Sequence, residues 1–140
     1  MRVVFLDFDG VLNTEKSYSS TGDFSKAACK NLAKLLELDE NLKIVVSSSW
    51  RSKGLKKVTE ILKNNGIDPG RVFDTTDHTH KDDRGHHIER YLDSHKDIKH
   101  YVILDNKADM DKIRDHLVQT NPIVGLTSKD VEKALKVLKK

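Results

Sequence analysis

The sequence predicts an α/β fold: a three-layer sandwich in which helices cover both faces of a central, mostly parallel five-stranded sheet. Short apolar runs rich in β-branched residues alternate along the chain with amphipathic segments of helical period. The apolar runs lack polar alternation, which indicates strands buried on both faces. The 140 residues are enough for one hydrophobic core and too few for two, so we expect a single domain spanning residues 1–140.

Five strands are predicted at the short apolar runs. They are residues 3–6, 43–46, 72–73, 101–104 and, with a weaker signal, 117–119. Residues 13–23 and 74–83 are polar and have the composition of loops. Because strands alternate with helices, parallel pairing is the expected topology.

Five helices are predicted from apolar residues three or four positions apart. Ser25 is a suitable N-cap for the first helix, and Thr127 or Ser128 for the last. The apolar positions of the five helices are Ala28, Leu32, Leu35 and Leu36; Leu55, Val58 and Leu62; Ile88, Tyr91 and Leu92; Met110, Ile113 and Leu117; and Val131, Ala134, Leu135 and Leu138. These segments supply the two outer layers of the sandwich.

Composition restricts the functional classes. Charged residues make up 34% of the chain, and no apolar run has the length of a membrane-spanning helix or the context of a signal-peptide core. Cys29 is the only cysteine, so no internal disulfide is possible and nothing indicates secretion. The net charge of +3 permits an anionic substrate without requiring one. We expect a cytoplasmic protein without membrane contact.

Two aspartates follow the first predicted strand. Asp7 and Asp9 are two positions apart, so their side chains point to the same side and can converge where the chain leaves the sheet. Gly10 allows a tight departure there. Adjacent carboxylates repel each other, which favours a bound cation or a shared proton over two solvated side chains. A calcium loop of the EF-hand type is disfavoured, because its glycine comes later and a helix precedes it.

Further polar and basic side chains follow the other strands or lie near the start of the third helix: Ser47, Ser48, Ser49, Arg51, Lys81, Arg84 and Asp105. Ligands of open α/β sheets lie beyond the carboxyl ends of the strands, so we expect these side chains to surround one site. The serine hydroxyls, and backbone N–H groups that lead into a helix, can donate hydrogen bonds to phosphoryl oxygens. The serines therefore suit a phosphorylated ligand.

Four motifs, in order, resemble those of the haloacid-dehalogenase-like (HAD) phosphohydrolases. They are Leu6-Asp7-Phe8-Asp9-Gly10-Val11, then Ser48-Ser49-Trp50-Arg51, Arg84-Gly85 and Asp105-Asn106. The Ser-Ser-Trp-Arg form is similar to a small subgroup without large caps, which includes the HAD domains of RNA-repair proteins and phage polynucleotide phosphatases. The resemblance implies a Rossmann-like domain without a large cap domain and a Mg²⁺ cofactor.

The resemblance implies a nucleophile, an acid and base, and three metal ligands. Asp7 would attack phosphorus, and Asp9 would protonate the leaving oxygen. Asp7, Asp105 and the main-chain carbonyl of Asp9 would hold Mg²⁺. Asn106 stands where a second acid is common in the family, which implies weaker metal binding.

The other implied contacts are with the phosphoryl group. Ser48 is the expected motif serine and Arg84 the expected basic residue, and both would hold the transferring oxygens. Ser47 is the alternative motif serine, and Lys81 is the alternative basic residue. These two, together with Ser49 and Arg51, are expected to bind substrate.

The function implied is Mg²⁺-dependent hydrolysis of phosphomonoesters through an aspartyl-phosphate. Mild positive charge and the lack of a cap-sized insertion favour a polynucleotide 5′- or 3′-end phosphate, followed by a phosphoprotein. The alternative is a non-catalytic or regulatory module that binds phosphate or nucleic-acid ends. A receiver-like signalling domain is disfavoured because its phosphorylated aspartate would follow a later strand. Zinc is disfavoured because His78, His80, His86 and His87 lack a second cysteine to join them.

Overall fold

A five-stranded parallel sheet forms the centre of the structure, a computed structural model that describes residues 1–15, 24–77, 84–108 and 110–140. The strands are β1 (Arg2–Leu6), β2 (Leu42–Val46), β3 (Val72–Thr75), β4 (His100–Asp105) and β5 (Leu117–Gln119). Their order is β3-β2-β1-β4-β5, and every neighbouring pair is parallel. The predicted α/β fold is confirmed, with a sheet that is all-parallel.

The described helices follow the strands as expected. They are α1 (Lys26–Leu38), α2 (Leu55–Asn64), α3 (Arg84–Ser94) and α4 (Ser128–Lys139), with 3₁₀-helices at Ser49–Lys53, Pro69–Arg71 and Asp111–His116. Ser25 caps α1 by accepting a hydrogen bond from Ala28 N, as predicted. Of the two candidates at α4, Thr127 is the N-cap, and it forms a reciprocal capping box with Asp130.

Helices cover both faces of the sheet because the strands are apolar on both. On one face, Val4 and Leu6 of β1 pack in the same core as α1, α2 and α4. On the other face, Val3 and Phe5 pack with α3 and the 3₁₀-helix Asp111–His116. These four β1 side chains are fully buried, which explains why this part of the strand shows no polar alternation.

The prediction of an α-helix around Met110, Ile113 and Leu117 is wrong. A 3₁₀-helix spans Asp111–His116, and Leu117 is the first residue of β5. Its first residue, Asp111, has a positive φ of 44°, and no side chain caps it. The helical spacing arose because Met110 and Ile113 are both buried against the α3 side of the sheet.

The edge strand β3 is longer than predicted. Asp74 and Thr75, assigned to a loop from the sequence, pair with Val45 and Val46 of β2. Polar side chains are tolerated there because β3 is an edge strand and only partly buried. Residues 16–23, 78–83 and 109 lie outside the described residues, and with them parts of both predicted loops. The described ranges contain no cap domain and no helix that is long and apolar enough to cross a membrane.

The register of the sheet aligns three strand ends. Leu6 is the last β1 residue that pairs with both neighbouring strands, with Val46 of β2 and Leu104 of β4. The next residue on each strand is Asp7, Ser47 or Asp105, so these three stand side by side. The ladder continues there, since Asp7 N donates to Leu104 O at 3.0 Å and Ser47 N donates to Leu6 O at 2.9 Å. The predicted site is therefore centred on this row of three residues.

Candidate active site

A cavity of about 580 Å³ opens at the carboxyl ends of the central strands. The predicted residues Asp7, Asp9, Ser49 and Arg84 all line it. The other lining residues are Gly10, Asn13, Thr14, Glu15, Asn106, Lys107 and Pro122. The cavity lies where ligands of open α/β sheets are expected.

Two buried carboxylates share one guanidinium at this cavity. Asp7 is 2% exposed and Asp105 is fully buried. Arg84 Nη1 lies 3.0 Å from Asp7 Oδ2 and 2.8 Å from Asp105 Oδ2. With all three groups ionised, one negative charge remains in excess, which favours a cation or a proton beside Asp7.

The pKa values reflect this imbalance. Burial, followed by repulsion from the Asp105 carboxylate, raises the pKa of Asp7 from 3.8 to about 7, although Arg84 opposes the shift. Burial lowers the pKa of Arg84, but attraction to Asp7 and Asp105 outweighs burial and leaves it above the usual value. Arg84 therefore stays protonated, whereas Asp7 without a further cation is only partly ionised at neutral pH.

The exposed Asp9 carboxylate accepts hydrogen bonds from two neutral groups. Trp50 Nε1 lies 3.1 Å from each of its oxygens, and Asn13 Nδ2 donates to Oδ1 at 2.8 Å. Asp7 and Asp9 line the same cavity, as predicted, but the carboxylate that interacts most strongly with Asp7 is that of Asp105. The two carboxylates of the Asp-x-Asp segment therefore have different environments, one buried and paired, the other exposed and held by neutral donors.

Asn106 packs between Asp7 and Asp9. With its amide nitrogen toward them, it donates to Asp9 O at 3.1 Å and to Asp7 Oδ2 at 3.2 Å. A Cβ on Gly10 would lie 2.8 Å from Asn106 Cγ, and Gly10 has a φ of 83°. Glycine at position 10 is therefore required both by the backbone conformation and by the approach of Asn106.

The donor atoms around Asp7 fit Mg²⁺. The carboxylates of Asp7 and Asp105 and the main-chain carbonyl of Asp9 are hard oxygen ligands, and Mg²⁺ in proteins commonly takes one or two carboxylates and keeps several waters. The protein would thus supply two side chains and one carbonyl. Among the described residues, no group of three or more His, Cys, Asp or Glu side chains is placed to hold a metal. His86 and His87 therefore form no such group for zinc, and His78 and His80 lie outside the described residues.

Sequence comparison gives the same result as the motifs. The family described as the HAD domain in Swiss Army Knife RNA repair proteins matches residues 3–131. The chain belongs to this family. No curated protein and no solved structure matches the chain. The matched segment of this HAD domain runs from β1 into α4 and includes all the predicted site residues.

The three serines of this HAD domain have different environments. Ser48 Oγ accepts a hydrogen bond from Trp50 N at 3.2 Å and so caps the 3₁₀-helix Ser49–Lys53. Ser49 is exposed and lines the cavity. Ser47 Oγ is buried and has no hydrogen-bond partner among the described residues. Ser47 therefore has a buried, unpartnered hydroxyl in the row beside Asp7.

Arg51 is engaged mainly by the backbone of the HAD domain. It is 7% exposed, and its guanidinium donates to Ser48 O at 2.9 Å and to Asp77 O at 3.3 Å. Nη2 lies 2.9 Å from His87 Nδ1. Arg51 does not line the cavity, and its contact with substrate stays a prediction. Lys81 lies outside the described residues.

The roles of three residues at the site were not predicted from the sequence. Asn13 and Trp50 bind Asp9, and Lys107 lines the cavity and donates from its N–H to Asp105 Oδ1 at 3.0 Å. Asp105 itself was a usable signal for Lys107, because an aspartate side chain often accepts a hydrogen bond from the backbone N–H two residues further along the chain. Nothing in the spacing could show that Trp50 reaches Asp9, since they follow different strands.

Proposed function

We propose that this HAD domain is a Mg²⁺-dependent phosphomonoester hydrolase that acts through an aspartyl-phosphate on Asp7. The observation that carries the proposal is the position of Asp7: a buried carboxylate at the end of the central strand, beside Arg84 and facing an open cavity. Membership of the HAD family supports the reaction class.

Two proton transfers accompany the proposed reaction. The Asp7 carboxylate attacks phosphorus while the bond to the leaving oxygen breaks, and Asp9 donates a proton to that oxygen. Asp9 then takes a proton from the water that attacks phosphorus in the aspartyl-phosphate. This second step releases phosphate and restores the Asp7 carboxylate.

The remaining groups position the transferring oxygens and neutralise their charge. Arg84, already within 3.0 Å of Asp7 Oδ2, offers a guanidinium beside the point of attack. We assign the motif-serine role to Ser47 rather than Ser48, because the buried Ser47 hydroxyl has no hydrogen-bond partner among the described residues and Ser47 stands beside Asp7 at the strand ends. Mg²⁺ held by Asp7, Asp105 and the Asp9 carbonyl would screen the repulsion between the phosphate and the attacking carboxylate.

A polynucleotide 5′- or 3′-end phosphate is the substrate we favour. The family description names RNA-repair proteins, the described ranges contain no cap domain, and exposed lysines Lys53, Lys56 and Lys57 follow the motif serines. A phosphoprotein is the second choice. Asn106 favours the other candidate function, a non-catalytic or regulatory module that binds such ends, because it replaces an acid common in the family.

Phosphate release from p-nitrophenyl phosphate tests the catalytic proposal. We expect turnover with Mg²⁺, none with EDTA, and a loss of at least about 10³-fold in Asp7→Asn, since an amide is a poor nucleophile. Asp97→Asn removes an exposed carboxylate elsewhere and is the matched control, expected to retain turnover. Wild-type turnover in Asp7→Asn would rule out the mechanism, and binding of phosphorylated ends without turnover would favour the non-catalytic module.

A further inference from the structure

The hydrogen bonds at Asp9 connect two strand ends. Asp9 follows β1, whereas Trp50 lies in the 3₁₀-helix that follows β2. The indole N–H is equidistant from the two carboxylate oxygens, at 3.1 Å from each. Asn13 Nδ2 adds a third contact at 2.8 Å from Oδ1. An exposed aspartate would otherwise sample several rotamers, so these donors define its orientation.

Trp50 is itself fixed by an aromatic cluster formed by Phe8, Phe24 and Trp50. The ring centroids of Trp50 lie 5.7 Å from Phe8 and 5.6 Å from Phe24, and Phe8 lies 5.4 Å from Phe24, all in edge-to-face contacts. Phe8 is fully buried and stands between Asp7 and Asp9 in the sequence. Lys53 Nζ lies 5.6 Å from the centroid of the Trp50 ring. The indole N–H is therefore a donor on a well-packed ring.

We propose that Trp50 is a positioning residue: its indole N–H, held by the aromatic cluster, orients the Asp9 carboxylate for proton transfer to the leaving oxygen. The inference rests on the proposed function, in which Asp9 is the acid and base. In the first step the Asp7–phosphorus bond forms, the bond from phosphorus to the leaving oxygen breaks, and the proton moves from Asp9 to that oxygen. Trp50 touches none of the reacting atoms and acts through Asp9.

The proposal predicts a dependence on the leaving group. A p-nitrophenolate leaves readily without a proton, whereas the alkoxide of a nucleoside needs one. Loss of the Trp50 N–H therefore slows formation of the aspartyl-phosphate from a nucleotide end much more than from the aryl ester. Disturbed packing alone would slow both by similar factors.

The test uses single-turnover rates of aspartyl-phosphate formation from p-nitrophenyl phosphate and from a 5′-phosphorylated oligonucleotide. Trp50→Phe keeps an aromatic ring and removes the N–H. Phe24→Leu perturbs the same cluster without touching Asp9 and is the matched control. We expect the Trp50→Phe rate constant to fall by about tenfold or more on the oligonucleotide and by less than about threefold on the aryl ester, with the concentration at half-saturation little changed. Phe24→Leu should show the same factor on both substrates.

A second comparison separates positioning from packing. In an Asp9→Asn background, Trp50→Phe should cause little further loss of rate on the oligonucleotide, because the side chain that Trp50 orients can no longer donate a proton to the leaving oxygen. Equal losses on the two substrates, or a full additional loss in the Asp9→Asn background, would overturn the role of Trp50 while leaving the phosphatase assignment intact. Absence of Mg²⁺-dependent turnover in the wild-type protein would overturn both.

Discussion

At the residue scale, the charge state of Asp7 links catalysis to stability. Its pKa in the folded protein, about 7, lies above the ordinary value of 3.8, so the folded state binds this proton more tightly than the unfolded state. The contribution of this group to the free energy of unfolding is therefore complete below about pH 4 and decreases as the pH rises toward 7. The buried carboxylate that the reaction needs lowers the free energy of unfolding when it is ionised.

We expect Asp7→Asn to stabilise the metal-free protein at pH 8, by about 1–3 kcal/mol, and to change it little at pH 4. The amide keeps the shape of the side chain and removes the carboxylate that repels Asp105. Urea denaturation in EDTA at several pH values measures the difference. If the variant's free energy of unfolding falls with pH as steeply as that of the wild type, Asp7 is not the group responsible.

Asn106 has opposite effects with and without metal. With its amide nitrogen toward the site, Asn106 donates to Asp7 Oδ2 and Asp9 O, so Asn106→Asp replaces a donor with a repelling oxygen. We expect this variant to have a lower thermal midpoint in EDTA, a larger increase on adding Mg²⁺, and a several-fold lower half-saturating Mg²⁺ concentration. Differential scanning fluorimetry across a Mg²⁺ titration measures all three.

The control for this prediction is Asn41→Asp, which adds the same charge at an exposed turn. It should change neither the midpoint in EDTA nor the response to Mg²⁺. An Asn106→Asp protein that behaves like this control would exclude position 106 from the metal response.

At this scale the sequence predicted the positions of Asp7, Asp9 and Asp105 because all three follow strands, and strand ends gather in an open parallel sheet. The sequence favoured Ser48 as the motif serine, with Ser47 as the alternative, and it could not fix the residue at which β2 ends. A shift of one residue moves a side chain to the opposite face, and the last residue of β2 is fixed only by its pairing with β1. The bond from Trp50 to Asp9 also depends on packing between elements that are distant in sequence.

At the element scale, the start of α4 is the clearest local prediction. Thr127 Oγ1 accepts from Asp130 N at 3.2 Å, and Asp130 Oδ2 accepts from Thr127 N at 2.9 Å. We expect Thr127→Ala to lower the free energy of unfolding by about 1 kcal/mol, because it leaves an N–H without its cap. Denaturant titration measures the loss. Ser128→Ala, at the exposed neighbouring position, is the matched control and should change stability by less than about 0.5 kcal/mol.

Elements with a cap and a long apolar period were predicted well, whereas the short segment Asp111–His116 was not. Ser25 and α1 agree with the prediction because cap and period gave the same boundary. The segment Asp111–His116 has apolar spacing typical of a helix but only the length of a short 3₁₀-helix before β5 begins. Its apolar residues are buried by tertiary contacts. A local apolar pattern does not distinguish such a segment from an amphipathic α-helix.

At the scale of the whole molecule, the described residues leave the site open. The connections after β1 and β3 are short, and the cavity is lined at its rim by the exposed residues Glu15, Ser49 and Lys107. An open site has few walls to hold a small substrate, so binding energy must come from contacts outside the cavity. We therefore expect kcat/KM for a phosphorylated ten-nucleotide strand to exceed that for the matching mononucleotide by tenfold or more.

Salt decides whether those outer contacts are with the nucleic-acid backbone. If exposed lysines bind backbone phosphates, the advantage of the longer substrate decreases as salt rises, since counterion release contributes less. Kinetics on both substrates at two salt concentrations measure this. Equal efficiency on both, or an advantage that is independent of salt, would exclude the polynucleotide and favour a phosphoprotein.

The register of β1 has a consequence for synthesis on the ribosome. Within this domain β1 leaves the ribosome before both of its neighbouring strands, since Arg2 pairs with Leu42 on one side and with His100 on the other. At roughly 5–20 residues per second, the β4 side of this apolar strand stays unpaired for roughly 5–20 s. An unpaired apolar edge is a template for pairing with another chain. The strand that precedes Asp7 is thus a segment that a nascent chain must keep from aggregation, and a chain truncated before β4 should depend on chaperones to stay in solution.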